Sequence, residues 1–290
     1  MAVDPKLIKT TDLSKAQVRE VEFVEMFSES IKKLEEALGI TRKIAKQAGT
    51  VLKTYKASGT LEDGVVAEGE TIPLSKYKVE PISYKEITLK KWRKGTTVEA
   101  IQNYGFEQAV TKTTDRMLKD IQKGIRKDFF TFLGTGTGTA TGVGLQASLA
   151  NAWGKLQLLF EDDEISAVYF LNPEDVADYL GNAPLTTQTA FGMTYIENFL
   201  GLGTVFMNSS VPKGKVYATA KDNIVLYYIP VNGADIGEAF NFTADATGYV
   251  GIHEIPDYSN LTSLDTVVNG MELFAERLDG VVVGSITVAG

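Results

Sequence analysis

The chain has 290 residues, of which 44% are hydrophobic and 23% charged, and it contains one histidine and no cysteine. This length suits one large domain or two ordinary ones, and the composition is that of an average soluble globular protein. The lack of cysteine excludes disulfides and thiolate metal sites, and no apolar run approaches the roughly 18 residues of a membrane span.

Charge is unevenly divided along the chain. Residues 1–133 contain 24 Lys or Arg and 19 Asp or Glu, whereas residues 134–290 contain 5 and 18, so the net charges are +5 and −13. Complementary potentials steer and register association. We therefore expect basic N-terminal elements of one subunit on acidic C-terminal surfaces of another, with simple drift of composition as the alternative. Bases and acids are interspersed in the first part, and no groove-reading motif indicates specific nucleic-acid recognition.

The chain begins with a polar arm, residues 1–13, followed by a predicted amphipathic helix over Ser14–Leu38. Apolar residues recur in this helix every three or four positions, and Gly39 follows as a C-terminal stop. Residues 40–58 are rich in lysine and are predicted to join the helix to the next element.

Residues 60–95 predict a long two-stranded ribbon, which is the most informative segment of the chain. Between Lys76 and Lys90 apolar and charged residues alternate with a period of two, the pattern of a strand with one apolar face. An isolated two-stranded ribbon is only marginally stable in water. A ribbon this long and this charged is therefore expected to find its partner surface on another chain, which favours assembly over catalysis.

A long helix is predicted after the ribbon. Thr96 and Glu99 have the spacing of a capping box, and Gly105 is expected to interrupt the helix that begins there. An apolar stripe resumes after Phe106 and continues to Phe132 at intervals of three, four and seven residues. The resulting helix has about 28 residues and a length of about 42 Å, which suits a rod laid across a sheet.

The second half mixes helices and strands without regular alternation, so the predicted fold class is α+β. A Gly/Thr-rich turn is predicted at Gly134–Gly144, helices at Leu145–Phe160 and 172–180, and a polar loop at 181–194. The predicted strands are 165–171, 204–207, 215–219, 223–229, 239–245, 249–255, 271–277 and 281–288.

Candidate catalytic and binding motifs are few. Gly142-Val-Gly144 opens a predicted helix and satisfies a loose dinucleotide-binding pattern, with Glu164 near the acidic position. That motif needs a strand before it, so that the helix N-terminus meets the pyrophosphate, and the sequence predicts a helix there instead. His253 has no second His or Cys with which to form a zinc site. We therefore predict no catalytic residue, no cofactor and no metal site, and expect that the chain is not an enzyme.

Taken in order, these elements resemble the major capsid protein of tailed bacteriophages, which has the Hong Kong 97-like capsid fold. The resemblance is carried by Glu68–Pro73 in the ribbon, Phe129–Gly136 at the exit of the long helix, Val168–Asp175, and Glu276–Val283 near the C-terminus. It extends over about residues 40–290.

The resemblance implies a division of the chain into an arm, an extended loop and two domains called peripheral (P) and axial (A). The implied segments are the N-terminal arm and helix at 1–56, the E-loop at 57–95, the spine helix of the P domain at 96–139, the A domain at 140–231, the P-domain strands at 232–280, and a C-terminal strand returning to the A domain at 281–290.

The resemblance also implies two sets of contact residues. In the E-loop, the residues expected at contacts between subunits are Glu68, Glu70, Lys76, Lys78 and Lys85. In the A-domain loop, the residues expected at the axis of a ring are Asn182, Thr186, Thr187 and Gln188.

The implied function is that of a major head protein, which self-assembles into pentamers and hexamers of an icosahedral shell that encloses phage double-stranded DNA. The implied partners are further copies of the chain, a separate scaffolding protein and a portal during assembly, and packaged DNA contacted only non-specifically, with no membrane. Assembly is expected in the host cytoplasm, and the final location is the virion. Two alternatives stay open: an encapsulin-type bacterial nanocompartment shell, and a soluble enzyme that binds a nucleotide at the Gly142 turn.

Overall fold

The computed structural model describes residues 15–160, 164–182, 186–233, 236 and 239–287, so the predicted N-terminal arm lies outside the described residues. The helices are α1 (Lys15–Leu38), α2 (Val98–Tyr104), α3 (Lys112–Leu133), α4 (Gly144–Leu159) and α5 (Pro173–Asn182), with a π-helical turn at Glu107–Thr111 and a 3-10 turn at Lys221–Asn223. The strands are β1 (Lys43–Ala45), β2 (Val51–Thr60), β3 (Lys76–Glu86), β4 (Lys90–Thr97), β5 (Gly138–Val143), β6 (Ala167–Leu171), β7 (Gln188–Ala190), β8 (Met193–Phe199), β9 (Gly203–Met207), β10 (Lys215–Ala220), β11 (Ile224–Tyr228), β12 (Val250–Asp257), β13 (Thr262–Asn269), β14 (Glu272–Ala275) and β15 (Val281–Thr287). The predicted α+β class is confirmed.

A seven-stranded mixed sheet organises the second half of the chain. Its strand order is β5-β15-β10-β6-β9-β8-β7, with β5 parallel to β15 and β6 parallel to β9. Every residue of β6 is buried, as predicted for a strand covered on both faces. Helix α4 packs against this sheet through the fully buried side chains of Leu149, Ala152 and Leu156.

Helix α3 connects the seven-stranded sheet with the N-terminal part of the fold. Gly105 ends α2 with a φ of 79°, in the left-handed region that glycine adopts without strain, so the predicted interruption is confirmed. The helix then resumes through the π-helical turn and continues to Leu133 with its apolar stripe buried. At its C-terminal end the rings of Phe129 and Phe130 contact Phe170 of β6, at centroid distances of 5.5 and 5.3 Å.

Two three-stranded sheets complete the fold. Strand β13 lies between β12 and β4, antiparallel to both, and β11 lies between β1 and β14. Helix α1, which confirms the predicted helix to within one residue, packs against β12. Its side chains Phe27, Ile31 and Leu38 are fully buried in the main hydrophobic core.

The two-stranded ribbon differs from its predicted position. It consists of β2 and β3, paired from Val51↔Glu86 to Thr60↔Lys76 with an irregularity at Thr54/Tyr55, and the segment 61–75 connects them. The first strand therefore lies in the segment that was predicted as a connection, and β4 pairs with β13 in a three-stranded sheet of the same chain. Strand β2 was missed because its exposed side chains at Lys53, Ser58 and Thr60 leave no alternation of apolar and polar residues.

Two predicted loops also need correction. The Gly/Thr-rich turn contains β5, which pairs in parallel with β15 almost 140 residues later in the chain. A side chain at Gly138 would place its Cβ 3.0 Å from the carbonyl oxygen of Val281, so the glycine that suggested a turn is needed for close strand packing. The predicted loop 181–194 contains β7 and the start of β8.

The strand predicted at 239–245 is wrong for the described residues, where only the isolated bridge Thr243↔Ile252 is formed. Strand β13 was not predicted, because polar residues interrupt its apolar positions. The N-cap of α2 is Thr97 rather than Thr96, and its hydroxyl accepts a hydrogen bond from the Ala100 amide at 3.3 Å.

Candidate assembly surfaces

The tip loop, defined as residues 61–75, exposes large apolar side chains to solvent. The exposed fractions are 76% for Leu61, 89% for Val65, 73% for Ile72 and 92% for Leu74. Burying one such side chain contributes about 1.5–3 kcal/mol, so four of them within a 15-residue loop favour an interaction surface. The tip loop also carries four carboxylates and no Lys or Arg, so its surface is both apolar and acidic.

The ribbon strands beyond the tip loop are also exposed. Tyr77 and Val79 of β3 are 65% and 63% exposed, and among the ribbon side chains that the structure describes only Leu52 and Ile87, at the base, enter the core. The described side chains beyond the base therefore bury little apolar area within their own chain. Its surface is available to a partner.

Four of the five predicted E-loop contact residues, Glu68, Glu70, Lys76 and Lys78, are exposed on this ribbon. Lys78 forms an ion pair with Glu80 on the same strand. The contacts of these residues with another subunit stay predictions.

Lys85, the fifth predicted contact residue, has a different environment. It lies at the base of the ribbon, where it forms an ion pair with Glu272 and stands 5.6 Å from the ring centroid of Phe132. Its charge is therefore compensated within its own chain. An inter-subunit role for Lys85 is accordingly less favoured by the geometry than one for the four exposed residues.

The four residues predicted at a ring axis lie near one edge of the seven-stranded sheet. Asn182 is the last residue of α5, and its side chain is outside the described part of the chain. Thr186 and Thr187 are exposed, and exposed Gln188 begins the edge strand β7, where its Oε1 accepts a hydrogen bond of 2.6 Å from the Tyr195 hydroxyl. Their position at a ring axis stays a prediction.

A basic surface on α3 was missed by the sequence analysis. One turn of an α-helix takes 3.6 residues, and at that period six bases fall within an arc of about 100°, opposite the buried stripe. We call this set the basic stripe, and its members are Lys112, Arg116, Lys119, Lys123, Arg126 and Lys127. The linear sequence hides it because Asp115, Asp120 and Asp128 alternate with the bases, and projecting the charges on a helix would have found it.

The Gly142 turn packs against its own helix. A strand, β5, does precede α4, contrary to the prediction that a helix stands there. However, a Cβ at Gly142 would lie 2.3 Å from the amide nitrogen of Ser148, and the Ser148 hydroxyl donates to the Gly142 and Gly144 carbonyl oxygens at 3.0 and 2.8 Å. Packing of the strand on the first turn of the helix thus accounts for the glycine.

The titratable residues around His253 hold α1 on the sheet of β12, β13 and β4. The His253 Nδ1 lies 3.6 Å from Glu20 Oε1, and Glu20 also accepts hydrogen bonds from the Thr243 hydroxyl and the Glu254 amide. Burial raises the pKa of Glu20, although the Thr243 hydrogen bond and the nearby His253 and Arg19 oppose the shift. These contacts explain the positions of His253 and Glu20 by the packing of α1 on the sheet.

The described residues form neither a metal cluster nor a membrane-spanning helix. Within the described ranges, no group of three or more His, Cys, Asp or Glu side chains is placed to hold a metal ion. In that same part of the chain, no helix combines the length and apolar character needed to cross a membrane.

Comparison with known proteins identifies the fold through structure alone. No protein-family model matches the chain, and no curated protein matches it. The Cyanophage A-1(L) capsid subunit superposes with a TM-score of 0.60 at 11% identity, covering 88% of this chain and 92% of that one. The capsid of an empty GTA particle gives 0.55 at 10%, covering 99% and 96%. The holo-SrpI encapsulin complex from Synechococcus elongatus PCC 7942 gives 0.53 at 11%, covering 100% and 94%.

These matches extend over nearly the whole length of both chains, so the resemblance to the Hong Kong 97-like capsid fold is confirmed for the fold. That fold occurs in shells of more than one kind, since phage, GTA and encapsulin structures all match. Identities of 10–11% show the fold alone, so the role of this chain has to be inferred from its own surfaces.

Proposed function

We propose that the chain is the major capsid protein of a tailed bacteriophage, with a structural rather than an enzymatic role. It assembles into pentamers and hexamers of an icosahedral shell that encloses double-stranded DNA. Assembly takes place in the host cytoplasm with a separate scaffolding protein and a portal, and the shell becomes part of the virion. The segments 57–95 and 140–231 act as E-loop and A domain.

The observation that carries this proposal is the exposed ribbon. Its tip loop presents four large apolar side chains to water, which a stable monomer has no reason to expose. In a closed shell the ribbon of each subunit lies on a neighbour, so these side chains become buried. Closed symmetry also covers the unpaired ribbon edges, which otherwise invite aggregation.

The encapsulin alternative is favoured by one observation, the match to an encapsulin subunit over the full length of this chain. A bacterial nanocompartment built from this chain would use the same ribbon contacts. The two functions differ in what the shell contains.

Negative-stain microscopy of the purified protein tests the proposal directly. We expect closed shells, or free rings of five and six subunits when the protein is expressed without a scaffold. A strictly monomeric species at high protein concentration and moderate salt, under every assembly condition tried, would exclude a shell function. Nucleic acid within purified shells would favour the phage function over the encapsulin function.

A further inference from the structure

The basic stripe on α3 is largely uncompensated. Within the described part of the chain, Asp120 pairs with Arg116 at 3.1 Å, and Arg126 donates to the carbonyl oxygen of Phe191. The other four members, Lys112, Lys119, Lys123 and Lys127, are exposed, and their ammonium groups contact no acceptor among the described residues. Since the whole chain carries a net charge of −8, such a positive surface is a local exception to the charge of the molecule.

A polar cavity of about 300 Å³ adjoins the middle of the stripe. It lies between α3 and the turn that follows β9. Its lining combines four bases of the stripe with Asn208, Ser209, Ser210 and one carboxylate, Asp120, which pairs with Arg116, so the bases outnumber the acid. Guanidinium, ammonium, hydroxyl and backbone N–H groups are the donors that usually contact phosphate oxygens. The cavity thus has the chemistry of a phosphate contact.

We propose that the basic stripe contacts the phosphate backbone of the nucleic acid that the shell encloses, an inference that rests on the proposed function. From Lys112 to Lys127 the stripe is about 22 Å long, at 1.5 Å per residue. Duplex DNA carries one charge per roughly 1.7 Å, or about 13 phosphates over that length. Each basic side chain can meet a phosphate in any register, so the contact is independent of the DNA sequence. The proposal requires that α3 faces the interior of the shell.

One acidic segment that could occupy the stripe instead of nucleic acid is the tip loop of a second copy. Its carboxylates match the charge, but its four exposed apolar side chains need an apolar surface. Helix α3 offers none, since none of its large apolar side chains is exposed. If the tip loop docked on the stripe, its four apolar side chains would stay in water. A phosphate backbone does not need an apolar partner surface.

The test measures DNA binding by dissociated subunits, because a closed shell hides its interior. A fluorescein-labelled 30-base-pair duplex of mixed sequence is titrated with the protein between 50 and 200 mM NaCl. The stripe variant is Lys112→Gln/Lys119→Gln/Lys123→Gln/Lys127→Gln. The matched control, Lys32→Gln/Lys33→Gln/Lys91→Gln/Lys155→Gln, removes the same number of exposed charges elsewhere. Melting temperatures establish that both variants are folded.

For the stripe variant we expect the slope of log affinity against log salt to decrease by about 3–4, since each lost phosphate contact removes about 0.9. Affinity at the lowest salt should fall at least tenfold, and the control should bind like the wild type. Equal slopes in both variants, or no binding of the wild type at 50 mM NaCl, would overturn the proposal.

Two further results separate this inference from its alternatives. In the first, the wild type forms closed shells and the stripe variant binds DNA as tightly as the wild type. That pair of results would refute the nucleic-acid contact and would leave the shell function unaffected. Charge reversal tests the tip loop: if Glu68→Lys/Glu70→Lys restored assembly to a Lys119→Glu/Lys123→Glu variant, the stripe would belong to the neighbour's tip loop, and the nucleic-acid contact would be wrong.

Discussion

Asp265 has a side chain that is only 1% exposed, yet its carboxylate compensates charges from two other elements. Lys94 of β4 lies 2.8 Å from it and Arg19 of α1 3.5 Å, and the Thr114 hydroxyl of α3 donates to it at 2.8 Å. The residue therefore ties the N-terminal helix and the long helix to the three-stranded sheet.

Removing this carboxylate should be costly, because it leaves Lys94 without its buried ionic partner, whereas Arg19 keeps its pair with Glu254. We expect Asp265→Ala to lower the free energy of unfolding of the subunit by about 3–5 kcal/mol, measured by urea denaturation. Asp120→Ala is the matched control: it breaks the surface pair with Arg116 and should cost about 0–1 kcal/mol. Similar losses in the two variants would show that the buried cluster does not hold these elements together.

Glu20 gives a prediction about pH. Its raised pKa means that the folded state binds the proton more tightly than the unfolded state, whose value is near the ordinary 4.5. The stability contributed by the protonated carboxyl is therefore full below about 4.5 and is lost as the pH rises through the folded value. Relative to Glu20→Gln, the wild type should lose free energy of unfolding as the pH rises above about 4.5. A difference that instead grew with pH would contradict the assignment.

At the scale of elements, the ribbon divides into an anchored base and an exposed remainder. Ile87 at the base is fully buried, whereas Val79 farther along β3 is 63% exposed. We expect Ile87→Ala to lower subunit stability by about 2–5 kcal/mol and Val79→Ala to change it by no more than about 0.5 kcal/mol. Urea denaturation of both variants measures the difference. Equal destabilisation would mean that β3 is part of the subunit core along its whole length.

Sequence patterns predicted the elements whose burial has a clear period. Helices α1 and α3 carry one apolar stripe each, and β6 is a continuous apolar run, so their positions could be derived from local residues. Strand β5 could not be found this way, because its partner β15 lies at the other end of the chain and its glycines suggest a turn. Pairing over such a distance is a property of the tertiary structure.

The candidate surfaces were predicted less completely than the fold. The alternation in β3 indicated an exposed ribbon, but the apolar exposure of the tip loop depends on the absence of covering elements, which the sequence does not report. The position of Lys85 beside Glu272 depends on β14, almost 190 residues later. The basic stripe could have been found from the sequence, since it needs only the helical period.

For the whole molecule, two surfaces of opposite character lie on one subunit. The tip loop is apolar and acidic, and the basic stripe is cationic with no exposed large apolar side chain. In the proposed shell the first faces a neighbouring subunit and the second faces the contents. Assembly and packaging then depend on different residues, and changes in one surface can be separated from changes in the other.

Deleting the tip loop tests the shell function most directly. The register Thr60↔Lys76 allows residues 61–75 to be replaced by an Asn-Gly turn, which joins two antiparallel strands without changing their pairing. We predict that the melting temperature of the dissociated subunit changes by less than about 2 °C, since a loss of 1 kcal/mol shifts it by roughly 2–4 °C. We also predict that shell yield in negative-stain images falls to background. A large drop in melting temperature with shells still forming would contradict the account, because the tip loop would then stabilise its own subunit and not its neighbours.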